Sequence, residues 1–332
     1  MSKLDDDTFI EMKGIGKQYG GVTALDNVDF RVKTGEAICL AGENGSGKST
    51  LIKILVGVEQ PTFGQIFIDG KSYNQLSPRQ AASSGISVIF QDFSLFSNLT
   101  VAENVAFAAQ LSEKKRLFDR AATRRIAQEA LDRIGVNINL DARVETLPVA
   151  HKQLVAICRG LASNARLIIM DEPTTALTGR EVRALLGIIS KLKDSGIAVV
   201  FVSHKLAEVL EVCEEVFVLR NGKNAAQGPA LDFDAASLTR HMTGRNISKA
   251  KPPLNIDQAK NLLVVDQLGK AGAFSDINFN LKEGEVLGIS GVLGSGRTSL
   301  AKALFGLVAP EKGSIALSGN KIPLGDPIAA AQ

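Results

Sequence analysis

Short apolar runs bounded by turn residues alternate along this chain with stretches whose apolar positions recur every three to four residues. Ala37–Ala41, Gln65–Asp69, Ser87–Phe90, Leu167–Asp171, Ala198–Ser203 and Val216–Arg220 predict strands, the last closed by an Asn221-Gly222 turn. Lys48–Val56, Val101–Gln110, Arg120–Gly135 and His151–Ala162 carry helical spacing. The last three follow one another with no strand between them. They are expected to form a helical insert, about residues 92–163, between the halves of an α/β core.

The pattern also repeats. The stretch from Phe30 to Gly70 recurs without a gap from Phe279 to Gly319, so that Gly35, Gly42, Gly47, Gly57 and Gly64 match Gly284, Gly291, Gly296, Gly306 and Gly313 at an offset of 249. Two homologous domains in tandem explain this. The first is expected over residues 1–244, a linker containing Pro252-Pro253 over 245–261, and an N-terminal fragment of a second domain over 262–332.

Composition narrows the class. A length of 332 residues exceeds one ordinary domain, and 45% hydrophobic with 22% charged residues supplies ample core material for a folded protein. The longest apolar runs fall far short of the roughly 20 residues that cross a bilayer. Met1–Asp7 is acidic and polar, unlike a signal peptide, so the chain is expected in the cytosol. Cys39, Cys158 and Cys213 lie far apart among apolar neighbours, as buried reduced thiols would. A net charge of +3 gives little support to nucleic-acid binding.

Gly42-Glu43-Asn44-Gly45-Ser46-Gly47-Lys48-Ser49, followed by Thr50, fits the phosphate-loop pattern G-x-x-x-x-G-K-[ST] at every fixed position. The glycines let backbone N–H groups converge on phosphate oxygens, and the following helix adds the positive end of its dipole. This predicts ATP binding, with Lys48 on the β- and γ-phosphates and Ser49 on Mg²⁺. Downstream, the apolar strand Leu167–Met170 ends in Asp171-Glu172. Two adjacent carboxylates at a strand end are costly unless a cation or substrate uses them. Asp171 is expected to hold Mg²⁺ and Glu172 to polarise the attacking water. His204, after the strand Ala198–Ser203, either contacts the γ-phosphate or caps the surface.

The order of Tyr19, the phosphate loop, Gln91, Leu147-Pro148-Val149-Ala150-His151, Asp171-Glu172 and His204 resembles the ATP-binding-cassette (ABC) family along Glu11–Gly244. That resemblance implies an α/β P-loop NTPase fold with a mixed core sheet, an antiparallel β subdomain and a helical insert. It implies that Tyr19 stacks on adenine, that Gln91 senses Mg²⁺ and the attacking water, and that Glu172, His204 and Gln91 are catalytic, with Ser49, Gln91 and Asp171 around the metal. Two features resemble the tandem ATPases of monosaccharide importers of the ribose, galactose or xylose type. Arg297 stands in Gly291-Val292-Leu293-Gly294-Ser295-Gly296-Arg297-Thr298 where Lys48 stands in the first copy, and Thr178 closes Pro173–Thr178 where many cassettes carry Asp.

One segment departs from the family. Leu147–His151 occupies the place of Leu-Ser-Gly-Gly-Gln and lacks its serine and both glycines. In the family each nucleotide lies between the phosphate loop of one domain and the signature of the other, so this degenerate segment would face the loop bearing Arg297. The intact loop would need a signature that residues 262–332 do not contain, and the chain alone is expected to turn ATP over slowly. The resemblance further implies membrane permease subunits, an external solute-binding protein, a second cassette chain, a peripheral place at the cytoplasmic face of the inner membrane, and no nucleic-acid partner. A soluble cassette ATPase acting on nucleic acid or ribosomes, and a nucleotide-dependent regulator, are the alternatives.

Overall fold

The computed structural model describes residues 7–112, 119–203, 205–245, 259–292 and 294–331. They fall into two compact units that divide between residues 247 and 248. The linker expected at 245–261 lies outside the described residues except at its ends. In the first unit the elements run β1 (Thr8–Tyr19), β2 (Val22–Lys33), β3 (Ala37–Ala41), α1 (Lys48–Leu55), β4 (Phe63–Ile68), β5 (Lys71–Tyr73), α2 (Pro78–Ser83), β6 (Ile86–Ile89), α3 (Val101–Ser112), α4 (Arg120–Ile134), α5 (Val149–Ala162) and β7 (Leu167–Asp171). They continue with α6 (Gly179–Asp194), β8 (Ala198–Val202), α7 (Leu206–Val212), β9 (Glu215–Arg220), β10 (Lys223–Pro229) and α8 (Ala235–Thr243).

The core is a mixed six-stranded sheet in the order β10-β9-β3-β8-β7-β6, parallel except for β10. Strands covered on both faces read as unbroken apolar runs, and β8 is buried along its whole length. Side chains still alternate between the two layers. Ala37, Cys39 and Ala41 of β3 join the core beneath α3–α6, while Ile38 and Leu40 join the core with β1, β2, β4 and α1. Cys39 and Cys158 are buried free thiols whose pKa desolvation pushes up to about 12. Cys213 is buried and free as well, and desolvation raises it too.

The second sheet is antiparallel, β2-β1-β4-β5, and its long β1–β2 hairpin turns between Tyr19 and Val22. Periodicity alone does not reveal this hairpin. Register shifts after Met12, Ile15 and Lys17 break the two-residue alternation, and Gly14 sits at φ 59° within it. The helical insert is better marked. Asp119 caps α4 by accepting the Ala122 N–H, and Gly135 ends it in the left-handed conformation at φ 70°.

The second unit contains β11 (Asn261–Lys270), β12 (Phe274–Lys282), α9 (Arg297–Leu304), β13 (Lys312–Leu317), β14 (Asn320–Ile322) and α10 (Pro327–Ala331). Its sheet is antiparallel, β12-β11-β13-β14, over a small core of Val265, Leu268, Leu300, Ala303 and Ile315. Residues 286–290, the repeat counterpart of β3, form no strand, and Val286 is 90% and Ile289 48% exposed. In the first unit β3 is held between β8 and β9. No counterpart of either strand is among the described residues of the second unit, and the segment is exposed there.

Candidate functional site

Parallel register brings the carboxyl ends of β3, β8, β7 and β6 to one edge, where Leu40 pairs with Val202, Asp171 with Val202, and Ile89 with Met170. Ligands of α/β sheets bind at such edges. The loop from Gly42 to Gly47 leaves β3 there and turns directly into α1. Gly42 at φ 153° and Gly47 at φ 109° are required, because a Cβ on Gly42 would lie 2.4 Å from the Leu219 carbonyl and one on Gly47 2.8 Å from that of Ala24. Around Gly45, at φ 81°, a Cβ would meet nothing within 4 Å, so the loop's outer side is open.

Within the loop the Ser46 N–H donates to Glu43 O at 3.1 Å, and the Leu51 N–H to Gly47 O at 2.9 Å starts the helix. The Ser46 hydroxyl is buried and has no hydrogen-bond partner among the described residues. Lys48 folds back, donating to Gly42 O at 2.7 Å and Glu43 O at 2.9 Å. Burial pulls its pKa down, while Glu172 and Asp171 act against that. The reciprocal effect appears on Asp171, whose pKa is raised by desolvation and by Glu172 and lowered by Lys48. The structure thus brings Lys48, Asp171 and Glu172 into one electrostatic environment.

Glu172 holds a left-handed conformation at φ 46°, which a non-glycine residue adopts at a cost, and its N–H donates to Val202 O at 3.1 Å. Gln91 lies two residues past the end of β6 and is exposed at the same edge. Ser49 and Thr50 are in the first turn of α1, Ser49 exposed. Tyr19 ends β1 and is 43% exposed, with the Lys17 ammonium 4.8 Å from its ring centroid. Its turn lies close to the loop, since Ala24 and Leu25 border Gly47. His204 lies outside the described residues. Among the described residues no cluster of three or more His, Cys, Asp or Glu is poised for a metal. Ser49, Gln91 and Asp171 offer one carboxylate and neutral oxygens, a hard donor set that suits Mg²⁺.

Leu147–His151 reaches into α5, which begins at Val149 with Pro148 in the capping position and no side-chain cap. Pro148, Ala150 and His151 border an apolar cavity of about 250 Å³ with Leu177, Glu181 and Ile188. In the second unit the loop repeats two backbone bonds of the first. Ser295 N–H donates to Val292 O at 3.1 Å, Leu300 N–H to Gly296 O at 2.8 Å, and α9 starts at Arg297.

The ABC transporter family profile matches residues 25–175 and again 274–329. The chain belongs to the ABC transporter family. Over 94% of its length the chain is 44% identical to a ribose import ATP-binding protein of Rubrobacter xylanophilus, and over 97% it is 37% identical to one of Bacillus licheniformis. It spans 62% and 66% of the length of those two relatives. A nucleotide-free ATP-binding cassette superposes with a TM-score of 0.61 at 26% identity, over 67% of this chain and 91% of that one. A dimeric cassette in a post-hydrolysis state bound to ADP and Pi superposes at 0.58 and 29%, over 67% and 98%.

Two parts of this ABC site escape motif reading. Gly222 wedges its turn between β2 and the loop, its N–H donating to Ser46 O at 2.9 Å and its carbonyl accepting from Asp26 N–H at 2.8 Å. The sequence marks it only as an Asn-Gly hairpin turn. The buried Glu208 accepts from Thr174 Oγ1 at 2.7 Å and pairs with Lys205 Nζ at 3.0 Å, tying the segment after Glu172 to the end of β8. No pattern singles it out.

Proposed function

We propose that the first unit binds ATP with Mg²⁺ at the edge formed by β3, β7 and β8 and hydrolyses it, and that the energy drives import of a monosaccharide through a membrane permease. The observation that carries this reading is the convergence of the Gly42–Thr50 loop with the Asp171-Glu172 end of β7, where the two carboxylates hold the Lys48 pKa up against burial and Lys48 in turn holds that of Asp171 down. Backbone N–H groups of Gly42–Thr50 and the Ser46 hydroxyl cradle the phosphates. Lys48, released from its two loop carbonyls, meets the β- and γ-phosphates. Tyr19 offers a stacking face for the adenine.

Ser49, Gln91 and Asp171 are the groups that would hold Mg²⁺, which when bound neutralises charge on the β- and γ-phosphates. Glu172 takes the proton of the attacking water, Gln91 orients that water, and His204 contacts the γ-phosphate. The coupling to sugar uptake is supported by the relatives named above as ribose import proteins, which also disfavour a nucleic-acid or ribosomal role. The subunit would then sit peripherally at the cytoplasmic face of the inner membrane. Its partners would be permease subunits fed by an external solute-binding protein, and a second cassette chain. No described helix is long and apolar enough to cross a membrane.

The test is calorimetric titration of the chain with ATP and Mg²⁺, followed by turnover measured with and without the co-expressed permease. Binding that Lys48→Ala weakens about 10- to 100-fold, and permease-stimulated turnover that Glu172→Gln abolishes, are the expected results. Unchanged affinity in Lys48→Ala would overturn the phosphate-loop assignment.

A further inference from the structure

The segment after Gln91 is held in an improbable shape. The Phe93 N–H donates to Phe90 O at 2.8 Å, so that Gln91 and Asp92 form the corner of a tight turn. Phe93 at φ 62° and Ser94 at φ 46° then follow as two consecutive left-handed residues, neither of them glycine. Such a pair is disfavoured for L side chains unless the surroundings impose it. Asp92 contributes locally, since its Oδ1 accepts from the Ser94 N–H at 3.2 Å and from the Ser94 hydroxyl at 3.0 Å.

The remaining restraint comes from a different element. Arg159, on α5, donates from one terminal nitrogen to Ser94 O at 2.6 Å and from the other to Phe93 O at 3.1 Å. The guanidinium fork therefore grips both carbonyls of the strained pair, a geometry that a lysine ammonium on its flexible stem does not reproduce. The aliphatic part of the side chain rises from a helix packed into the main core through Val155, Ala156, Ile157, Cys158 and Leu161. The anchor is rigid. Arg159 lies eight residues beyond His151 on the same helix, about 12 Å along its axis.

We infer that Arg159 is a positioning residue that fixes the Phe90–Ser94 turn, sets where Gln91 is presented at the nucleotide edge, and links that placement to α5 and the Leu147–His151 segment at its start. The inference rests on the ATP·Mg²⁺ reading of the site and deepens it. Releasing the clamp lets Phe93 and Ser94 relax to ordinary backbone angles, and Gln91 then leaves the edge where Asp171 and Ser49 lie. Phosphate binding by the Gly42–Thr50 loop does not depend on it.

The test uses the full chain and the variants Arg159→Met and Arg159→Lys. Hydrogen exchange at the amides of residues 93–95 is read beside that of β7 and β8, and ATP affinity is titrated in EDTA and across a Mg²⁺ series. In Arg159→Met, exchange at 93–95 is expected to rise at least tenfold with β7 and β8 unchanged. ATP affinity in EDTA stays within twofold, and the Mg²⁺ concentration giving half of the metal-dependent gain rises at least fivefold. Arg159→Lys, which keeps the charge and can reach one carbonyl, falls between, and it carries the test if the methionine variant does not fold. Unchanged exchange at 93–95, or an equal loss of ATP affinity with and without Mg²⁺, overturns the inference. If the unsubstituted chain bound no nucleotide the functional reading would fail, and the exchange measurement would still decide whether Arg159 holds the turn.

Discussion

The two phosphate-type loops of this chain share two backbone bonds among the described residues and differ in what surrounds them. Gly42–Lys48 and Gly291–Arg297 start the next helix through equivalent bonds, from Leu51 N–H to Gly47 O at 2.9 Å and from Leu300 N–H to Gly296 O at 2.8 Å. The first loop leaves a strand paired on both sides, is braced by Gly222, and faces two carboxylates two strands away. The second follows an exposed segment with no ladder partners among the described residues, and Arg297 replaces the lysine. A loop motif therefore encodes its own turn geometry, while the chemistry it can perform comes from the sheet edge on which it is mounted.

Matched substitutions can break this comparison, and the strand beneath each loop gives the largest expected contrast. Leu40 and Ile289 are equivalent in the repeat, yet Leu40 is 1% and Ile289 48% exposed. Leu40→Ala should destabilise the first unit by about 2–5 kcal/mol in denaturant unfolding. Ile289→Ala should fall within roughly 0.5 kcal/mol of no effect. Similar losses at both positions would mean that the second loop also stands on a buried strand.

Next come the basic residues of the loops themselves. Lys48→Ala should weaken ATP binding about 10- to 100-fold by titration calorimetry, the worth of charge-assisted bonds to phosphate. Arg297→Ala should leave that affinity nearly unchanged. The brace can then be tested alone: Gly222 has φ 73°, and an added Cβ would lie 2.6 Å from the Ala24 carbonyl. Gly222→Ala should cost about 1–2 kcal/mol of stability for the left-handed backbone and weaken ATP binding. Retention of full affinity would show that the loop holds its shape without the turn.

The smallest effect belongs to a surface pair away from the loops. Arg166 grips Asp69 with two bonds, 2.7 and 2.8 Å, and its hydrogen bonds hold the Asp69 pKa below the usual carboxylate range. Because the folded pKa is depressed, the contribution is complete above the unfolded aspartate value and disappears as pH falls through the folded one. Both side chains are about half exposed, so Asp69→Asn should cost less than about 1 kcal/mol at pH 7. The variant and the parent should converge in stability in acid. A difference that persisted there would assign the effect to the backbone at Asp69 instead.

Much of the fold was legible because burial wrote itself into the pattern. The parallel strands β3, β7 and β8 are covered on both faces and so read as apolar runs, and α4 carries a capping aspartate and a terminating glycine at its ends. The β1–β2 hairpin was hidden because its bulges break the alternation on which strand reading depends. Likewise, α5 begins two residues before the periodic stretch, since Pro148 sets a helix start that periodicity does not register. Arg159 was invisible as a clamp: its partners are main-chain carbonyls 65 and 66 residues away, and a carbonyl has no sequence signature.

The sequence by itself determined the phosphate loop, the paired acids, the internal repeat and the family, because those depend on residue types at fixed local spacing. Tertiary structure decided that Lys48 shares its field with Asp171 and Glu172, and that Gly222 and Arg159 support the edge from afar. The reason is physical. Local spacing fixes turns and caps, whereas burial, strand pairing and charge coupling arise only when segments distant in the chain are packed together.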